Sequence, residues 1–407
     1  MLTYKYTARD AATGRKITAE VQAANEQSAS KLLRDQGLSP IEITPIIATG
    51  TNPFSRFRNR IKAKDRVLFS RQLSTLLNAG LPLIQSLRTV AEQTENKAFK
   101  VIILQVITDV ESGAPLSSTM AKYPQAFNQV YVSLIAAGEA SGTLDKSLER
   151  LATQQEKDAE IISKVRGAMV YPLIVLLVMG AVVTFMMVQV LPQVETLYEG
   201  LGSGASLPFV TQALLFVSRG MTKYWYIILI ILGFTVFFFS RWARTLGGKQ
   251  YIDKVKMRAP ILGRLFMKMY MARFARTGTT LVSAGVPLIQ MLNITATAIN
   301  NVHIEASLKR AIEMVKGGKA LSESISNDPN FLPLVPDMLR VGEQSGAIEQ
   351  MLAKTAEYYE KEVDNEIKAI STTIEPVLMI VLGVFAFIIV AAILLPVYGL
   401  AGQGISL

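Results

Sequence analysis

The chain has 407 residues, no cysteine and a single histidine, and its 42 basic and 32 acidic residues give a net charge of +10. Half of the residues are hydrophobic and only 18% are charged, against roughly 25% in ordinary soluble domains. The lack of Cys removes disulfide frameworks, thiol nucleophiles, iron–sulfur clusters and Cys-ligated zinc, and the lone His303 excludes an HExxH zinc site. The positive balance points to an anionic partner, either nucleic acid or a phospholipid headgroup, and only the location of the charge separates them.

Residues 1–47 read as a small α+β segment. The stretches YKYTA and KITAEVQA alternate like two strands around a turn at Ala12-Thr13-Gly14. Glu26 to Gln36 is helical, Gly37 ends that helix, and Ile41-Glu42-Ile43 suits a third strand. No apolar core of a signal peptide occurs in this segment, so none is expected. A basic linker follows at 48–64; Pro53 to Arg66 carries six basic residues against one acid.

Residues 65–169 read as a cytoplasmic helical repeat. Val67, Leu68, Leu73, Leu76 and Leu77 recur close to helical spacing, Gly80 suits a C-terminal cap, and Pro82 opens the next helix. Further helices are expected at about 83–95, 97–112, 115–122, 127–139 and 143–169, which with short connections describes a six-helix bundle. Positions 170–191 are uncharged and reach about 33 Å as a helix, enough for a first transmembrane span. The connection 192–223 is expected outside, with Leu207 to Ser218 as an interfacial or re-entrant helix. One long helix from Pro208 to Arg241 is the other reading of that stretch. A second span is placed at 224–240, bracketed by Lys223 and Arg241 and by Tyr224, Trp225, Tyr226 and Trp242 at interfacial positions.

A basic cytoplasmic connector is expected at 241–272, a second cytoplasmic helical repeat at 273–373, a third span at 374–400, and an external tail at 401–407. Orientation follows from Arg241 to Arg276, which holds ten Lys/Arg and only Asp253, whereas charges across 192–223 cancel. The N-terminus is therefore expected in the cytoplasm and the C-terminus on the external side. Because the cations flank spans and no aromatic-interleaved groove accompanies them, anionic lipid headgroups are the expected partner and nucleic acid is not.

The chain also repeats itself with a period near 205. Phe69 to Leu87 aligns with Phe274 to Leu292 with eleven of nineteen positions identical, both copies containing AGxPLIQxL. At the same offset Gly113, Leu116, Ser117 and Pro124 meet Gly318, Leu321, Ser322 and Pro329. After one residue is dropped, Gly138-Glu139-Ala140-Ser141-Gly142 meets Gly342-Glu343-Gln344-Ser345-Gly346, and Pro172 and Leu191 meet Pro376 and Leu395. The first and third spans are thus equivalents, each following its own helical domain.

With the duplicated AGxPLIQxL and GExSG segments, the three spans and the small N-terminal segment, the sequence resembles the type II secretion system protein F family over nearly its whole length. The resemblance implies an all-α polytopic protein of the bacterial inner membrane that serves as a non-enzymatic assembly platform. Its implied partners are a hexameric secretion or pilus-assembly ATPase beneath it, pilin-like subunits drawn from the bilayer, other inner-membrane assembly proteins, and further copies of itself. It does not separate a type IV pilus from a type II secretion pseudopilus. The rival class is a membrane transporter or channel subunit, which lacks the intramembrane charges it would need.

No catalytic or cofactor-binding residue is expected. No GxxxxGK[ST] loop is present, and Lys249 and Lys319 merely follow Gly-Gly pairs. Glu375 and Gln189, the polar residues nearest the spans, suit structural roles. Glu139 and Glu343 read either as carboxylates near a helix N-terminus or as a divalent-cation site, for which Glu139 and Asp145 are the candidate ligands because the resemblance includes metal-binding members. The partner-contact candidates are Gly80, Pro82, Glu139 and Gly142 with their counterparts Gly285, Pro287, Glu343 and Gly346. Pro172 and Pro376 are the candidate hinges of the membrane helices.

Overall fold

The computed structural model describes residues 2–10, 16–23, 26–45, 61–193, 196, 209–260 and 262–403. The expected turn at Ala12–Gly14, linker positions 48–60, most of the connection at 194–208 and tail positions 404–407 lie outside the described residues. Alternation in the N-terminal segment produces three antiparallel strands, β1 (Leu2–Asp10), β2 (Lys16–Ala23) and β3 (Leu38–Pro45), in the order β2-β1-β3. Tyr6 and Ala8, two apart on β1, face the same side and are buried with Leu33 of helix α1 (Glu26–Asp35), with Val21 and Leu38 packed around them. Pro40 and Pro45 sit in β3, an edge strand whose outer N–H row needs no partner.

The rest of the described chain is almost entirely helical. Helices α2 (Ala63–Asn78), α3 (Leu83–Gln93), α4 (Lys97–Glu111), α5 (Leu116–Ala121) and α6 (Gln129–Ser141) lead into the long α7 (Leu144–Phe185), which ends in a π-turn at Met186–Val190. After the connection come α8 (Phe209–Trp242), α9 (Leu246–Arg258), α10 (Leu262–Ser283) and α11 (Leu288–Ile299). The chain closes with α12 (Val302–Lys316), α13 (Leu321–Ile325), α14 (Leu334–Ser345) and the 56-residue α15 (Ile348–Gln403).

The chain divides into two compact units. One comprises Met1–Ala159 with Arg276–Ala298, and the other Glu160–Ala275 with Ile299–Leu407. The boundaries therefore fall inside α7, α10 and α11 rather than between the sequence repeats. Within the first unit, Gln154 Nε2 donates to Thr277 Oγ1 at 2.9 Å and Thr297 Oγ1 to Gln129 at 3.2 Å, tying early helices of the second repeat to the first.

The core of the first unit is aromatic. Phe69, Phe99, Phe127 and Tyr131 are at most 2% exposed, with successive ring centroids 5.0–5.9 Å apart. Each such side chain contributes on the order of 1.5–3 kcal/mol through burial, and their tilted and edge-on geometries add to it. Burial also pushes the Tyr131 phenol above its ordinary range. In the second unit Phe274 and Phe331, counterparts of Phe69 and Phe127, keep an edge-to-face contact at 5.6 Å.

Three helices are long and apolar enough to cross a membrane: Leu144–Gln193, Thr211–Trp242 and Ile348–Ala391. Their most apolar windows are unburied by protein, as lipid-facing surfaces must be. The stretch expected as an interfacial helix lies in the first part of α8, and two helical segments meet at Tyr224, where the second span is expected to begin. Within α8 the backbone departs from helical geometry at Tyr224 (φ −115°, ψ 20°), where the two segments join at a kink.

Candidate functional site

The repeated motifs build the same joint twice. The Glu139 carboxylate accepts from the backbone N–H groups of Leu116 and Ser117 and from the Ser117 hydroxyl. Glu343 accepts from Leu321 N–H, Ser322 N–H and Ser322 Oγ–H. These donors are first-turn groups of α5 and α13, short helices entered through Pro115 and Ala320, neither of which offers a capping side chain. A glutamate on the helix that follows fills the role of the missing cap, with the positive helix end favouring its charge.

The flanking glycines follow from the same joint. A Cβ on Gly138 would come 2.6 Å from Ser147 Oγ, and one on Gly342 would come 2.9 Å from Ile348 Cα, so each marks a close helix–helix approach. Gly142 and Gly346 adopt left-handed φ of 69° and 71° and end α6 and α14. In the AGxP segments Gly80 and Gly285 do the same (φ 83° and 80°), and Pro82 and Pro287 stand just before the first residues of α3 and α11. All eight partner-contact candidates thus occupy turns or caps.

A divalent cation does not suit Glu139. Both of its oxygens already face hydrogen-bond donors at the positive end of α5, which would repel a cation. Asp145 lies in the first turn of α7, and no group of three or more His, Cys, Asp or Glu gathers among the described residues. Sequence reasoning placed these glutamates near a helix N-terminus without identifying which helix. The signal was present in Ser117 and Ser322, which match at the repeat offset because they share the cap.

The helices α7 and α15 carry packing from the helical repeats directly into the apolar spans. Leu265 of α10 is buried with Val363 and Ile370 of α15, and Ile161 and Val165 of α7 pack against them. Around this seam lie ion pairs that sequence reasoning missed. Lys164 on α7 bridges Asp364 on α15 at 2.8 Å and its own Glu160 at 2.9 Å. Lys268 on α10 bridges Glu362 at 2.9 Å and Glu366 at 2.6 Å. Burial pulls the Lys268 ammonium down, but Glu366 and Glu362 outweigh it and hold it above the ordinary lysine range. Lys268, with help from Asn365, holds Glu362 below the ordinary carboxylate range.

Inside the apolar stretches the backbone itself is adjusted. Pro172 sits within α7 and Pro376 within α15, and each removes one N–H from the helical ladder. At the π-turn that ends α7, the Met187 carbonyl accepts from the Ser218 hydroxyl of α8, where Leu191 and Leu215 are buried together. A hydroxyl is well suited there, because in lipid no water compensates a displaced carbonyl.

Residues 69–192 and 274–396 each match the family described as type II secretion system protein F, and residues 1–44 match its N-terminal domain. The chain belongs to the type II secretion system protein F family. The two matched segments coincide with the two sequence repeats and their following spans. Among its relatives, the type IV pilus assembly protein PilC of Thermus thermophilus is 37% identical, with 99% of each chain covered. The type IV pilus assembly protein TapC of Aeromonas hydrophila is 35% identical over 95% of this chain and 93% of its own. The type II secretion system protein F of Xanthomonas campestris is 32% identical, with 98% of each chain covered.

Proposed function

We propose that this chain is the inner-membrane platform of a type IV pilus or type II secretion pseudopilus. In that role it couples a cytoplasmic ATPase to the movement of pilin-like subunits into or out of the bilayer. One observation carries the reading: relatives named for pilus assembly and for secretion align with this chain over nearly its whole length, which includes both helical repeats, each continuing here through one helix into an apolar span. A helix that is packed at one end and immersed in lipid at the other transmits displacement between the two environments.

In this reading each repeat acts as a six-helix cytoplasmic unit, the N-terminus is cytoplasmic and the C-terminus external. The positive-inside bias of 241–276 supports that orientation. The work comes from outside the chain, since no segment offers the backbone cradle, lysine and hydroxyl-held Mg²⁺ that ATP requires. Lys249, one of the two Gly-Gly lysines, spends its ammonium on Asn300 Oδ1 at 3.0 Å. The motif joints, with half-buried Glu139 and Glu343 at their centres, are the proposed contacts of the ATPase, and Pro172 and Pro376 the proposed hinges.

Purified full-length chain, separated from any ATPase, should show no nucleotide turnover above a mock preparation. Turnover that survives stringent purification and disappears in Lys249→Ala or Lys319→Ala would end the platform reading.

A further inference from the structure

The turn between α8 and α9 is tightly built. Thr245 Oγ1 donates to the Trp242 carbonyl at 2.7 Å and accepts from Gly248 N–H at 3.1 Å. Nothing larger than glycine fits at 248, where a Cβ would lie 2.0 Å from the Trp242 carbonyl oxygen. Only Ala243, Arg244 and Thr245 separate the two helices, so α9 begins within about 10–14 Å of the end of the second span. The other side of α9 is anchored to the start of α12. Asp253 accepts from Val302 N–H at 3.1 Å, Lys249 donates to Asn300, and the Gln250 carbonyl lies 3.0 Å from His303 Nε2.

This anchoring sorts the charges of α9. Its one acid, Asp253, is 3% exposed and faces α12. The opposite face carries Tyr251 and Val255, which are 61% and 47% exposed, together with exposed Lys254 and Arg258, while Leu246, the first residue of the helix, is 83% exposed at the end next to the span. Residues 247, 251, 254, 255 and 258 fall on one side of a helix by their three- and four-residue spacing. The Tyr251 ring lies 5.9 Å from that of Trp242, which belongs to the aromatic belt of the span. Arg244, Lys254 and Arg258 form no ion pair among the described residues.

We propose that the exposed face of α9 beds into the anionic headgroup layer of the membrane that the second span enters. Tyr251 and Val255 reach the acyl boundary, with Leu246 at the end of the helix nearest the span, while Arg244, Lys254 and Arg258 neutralise lipid phosphates. Two observations favour lipid over a soluble acidic protein: the helix starts at the membrane surface, and its exposed apolar residues continue the aromatic belt of the span. Basic residues beside exposed apolar ones suit a position at an anionic membrane surface. Such a helix fixes the second repeat, through α12, at a set height above the bilayer. The inference does not depend on the platform function.

The natural chain lacks cysteine, so single introduced thiols report position directly. Full-length Leu246→Cys, Tyr251→Cys and Val255→Cys would carry a small fluorophore in phosphatidylcholine nanodiscs with or without phosphatidylglycerol. Phe234→Cys in the span and Lys319→Cys, an exposed position far along the chain, serve as lipid and water references. The α9 labels should be quenched by bromolipids and shielded several-fold from iodide relative to position 319. Lys254→Glu/Arg258→Glu, or Gly248→Val, should reverse that pattern while the label at 234 stays lipid-exposed. Labels at all three positions that respond to iodide like position 319, or that are shielded from both quenchers as under a protein partner, would overturn the proposal.

Discussion

At the scale of single residues, Glu139 and Glu343 are the most informative side chains. Each gathers two backbone N–H groups and a hydroxyl at the start of a helix that has no cap of its own. Glu139→Ala should therefore cost on the order of 1–2 kcal/mol, seen as a lower thermal midpoint and faster proteolysis near α5. Ser117→Ala should cost less, because the two N–H donors remain. A Glu139→Ala protein as stable as the parent but unable to bind an ATPase would make the residue a contact and not a cap. Gly80, Gly142 and their counterparts were legible in the sequence, since Gly before Pro or after a Ser-ended helix has few other uses. The capped helix was not, because its N-terminus lies 22 residues earlier in the chain.

Glu362, paired with Lys268, contributes to the pH dependence, as do Glu156 beside Arg71 and Asp328, both of which are also held below the ordinary carboxylate range. Glu362 is held below its ordinary 4.5, so its contribution is present above that value and is lost as pH falls through its lowered folded pKa. Lys268 is held above its ordinary 10.5, so its contribution is present below that value and is lost only as pH rises through the raised one. The purified chain should lose thermal stability as pH drops below about 4.5, and Lys268→Met should remove the Glu362 part of that loss. An unchanged acid limb in Lys268→Met would show that the pairing contributes nothing.

At the scale of elements, the boundary between repeat and membrane disappears into α7 and α15. The uncharged runs at 170–191 and 376–400 were legible as spans, and the positions of the preceding helices were legible to within a few residues. The pairing of α7 with α15 was not, because Lys164 and Asp364 are 200 positions apart and nothing local distinguishes them from other surface charges. Their exposure limits the pair to well under 1 kcal/mol in water, but its geometry makes a clean exchange possible. Lys164→Asp and Asp364→Lys should each lower stability slightly, and the double exchange should restore it. Failure of the double variant to recover would mean that the two positions act independently. Both readings of 207–241 were open in the sequence, because residues 207–218 alone are too short to span and carry no helix stop before Lys223; the kink at Tyr224 lies at the expected start of the second span.

At the scale of the molecule, the duplicated helical repeat joins packed helices to helices long and apolar enough to cross a membrane, and a third such helix lies between them in sequence. The apolar stretches 170–191, 224–240 and 376–400 hold no Asp, Glu, Lys, Arg or His, the residues on which proton and ion paths through a membrane are commonly built. Coupling between an external motor and membrane-borne subunits needs only stiff helices and defined joints, and both are present. The central claim is best tested in the organism that makes the protein. Clean deletion of the gene, followed by complementation in trans, can be scored by counting surface filaments and assaying the secreted proteins. The platform account predicts that deletion abolishes filaments or secretion while ATPase and pilin remain at normal levels, and that complementation restores them. Normal filaments and normal secretion in the deletion strain, accompanied by defective uptake of a solute, would contradict it.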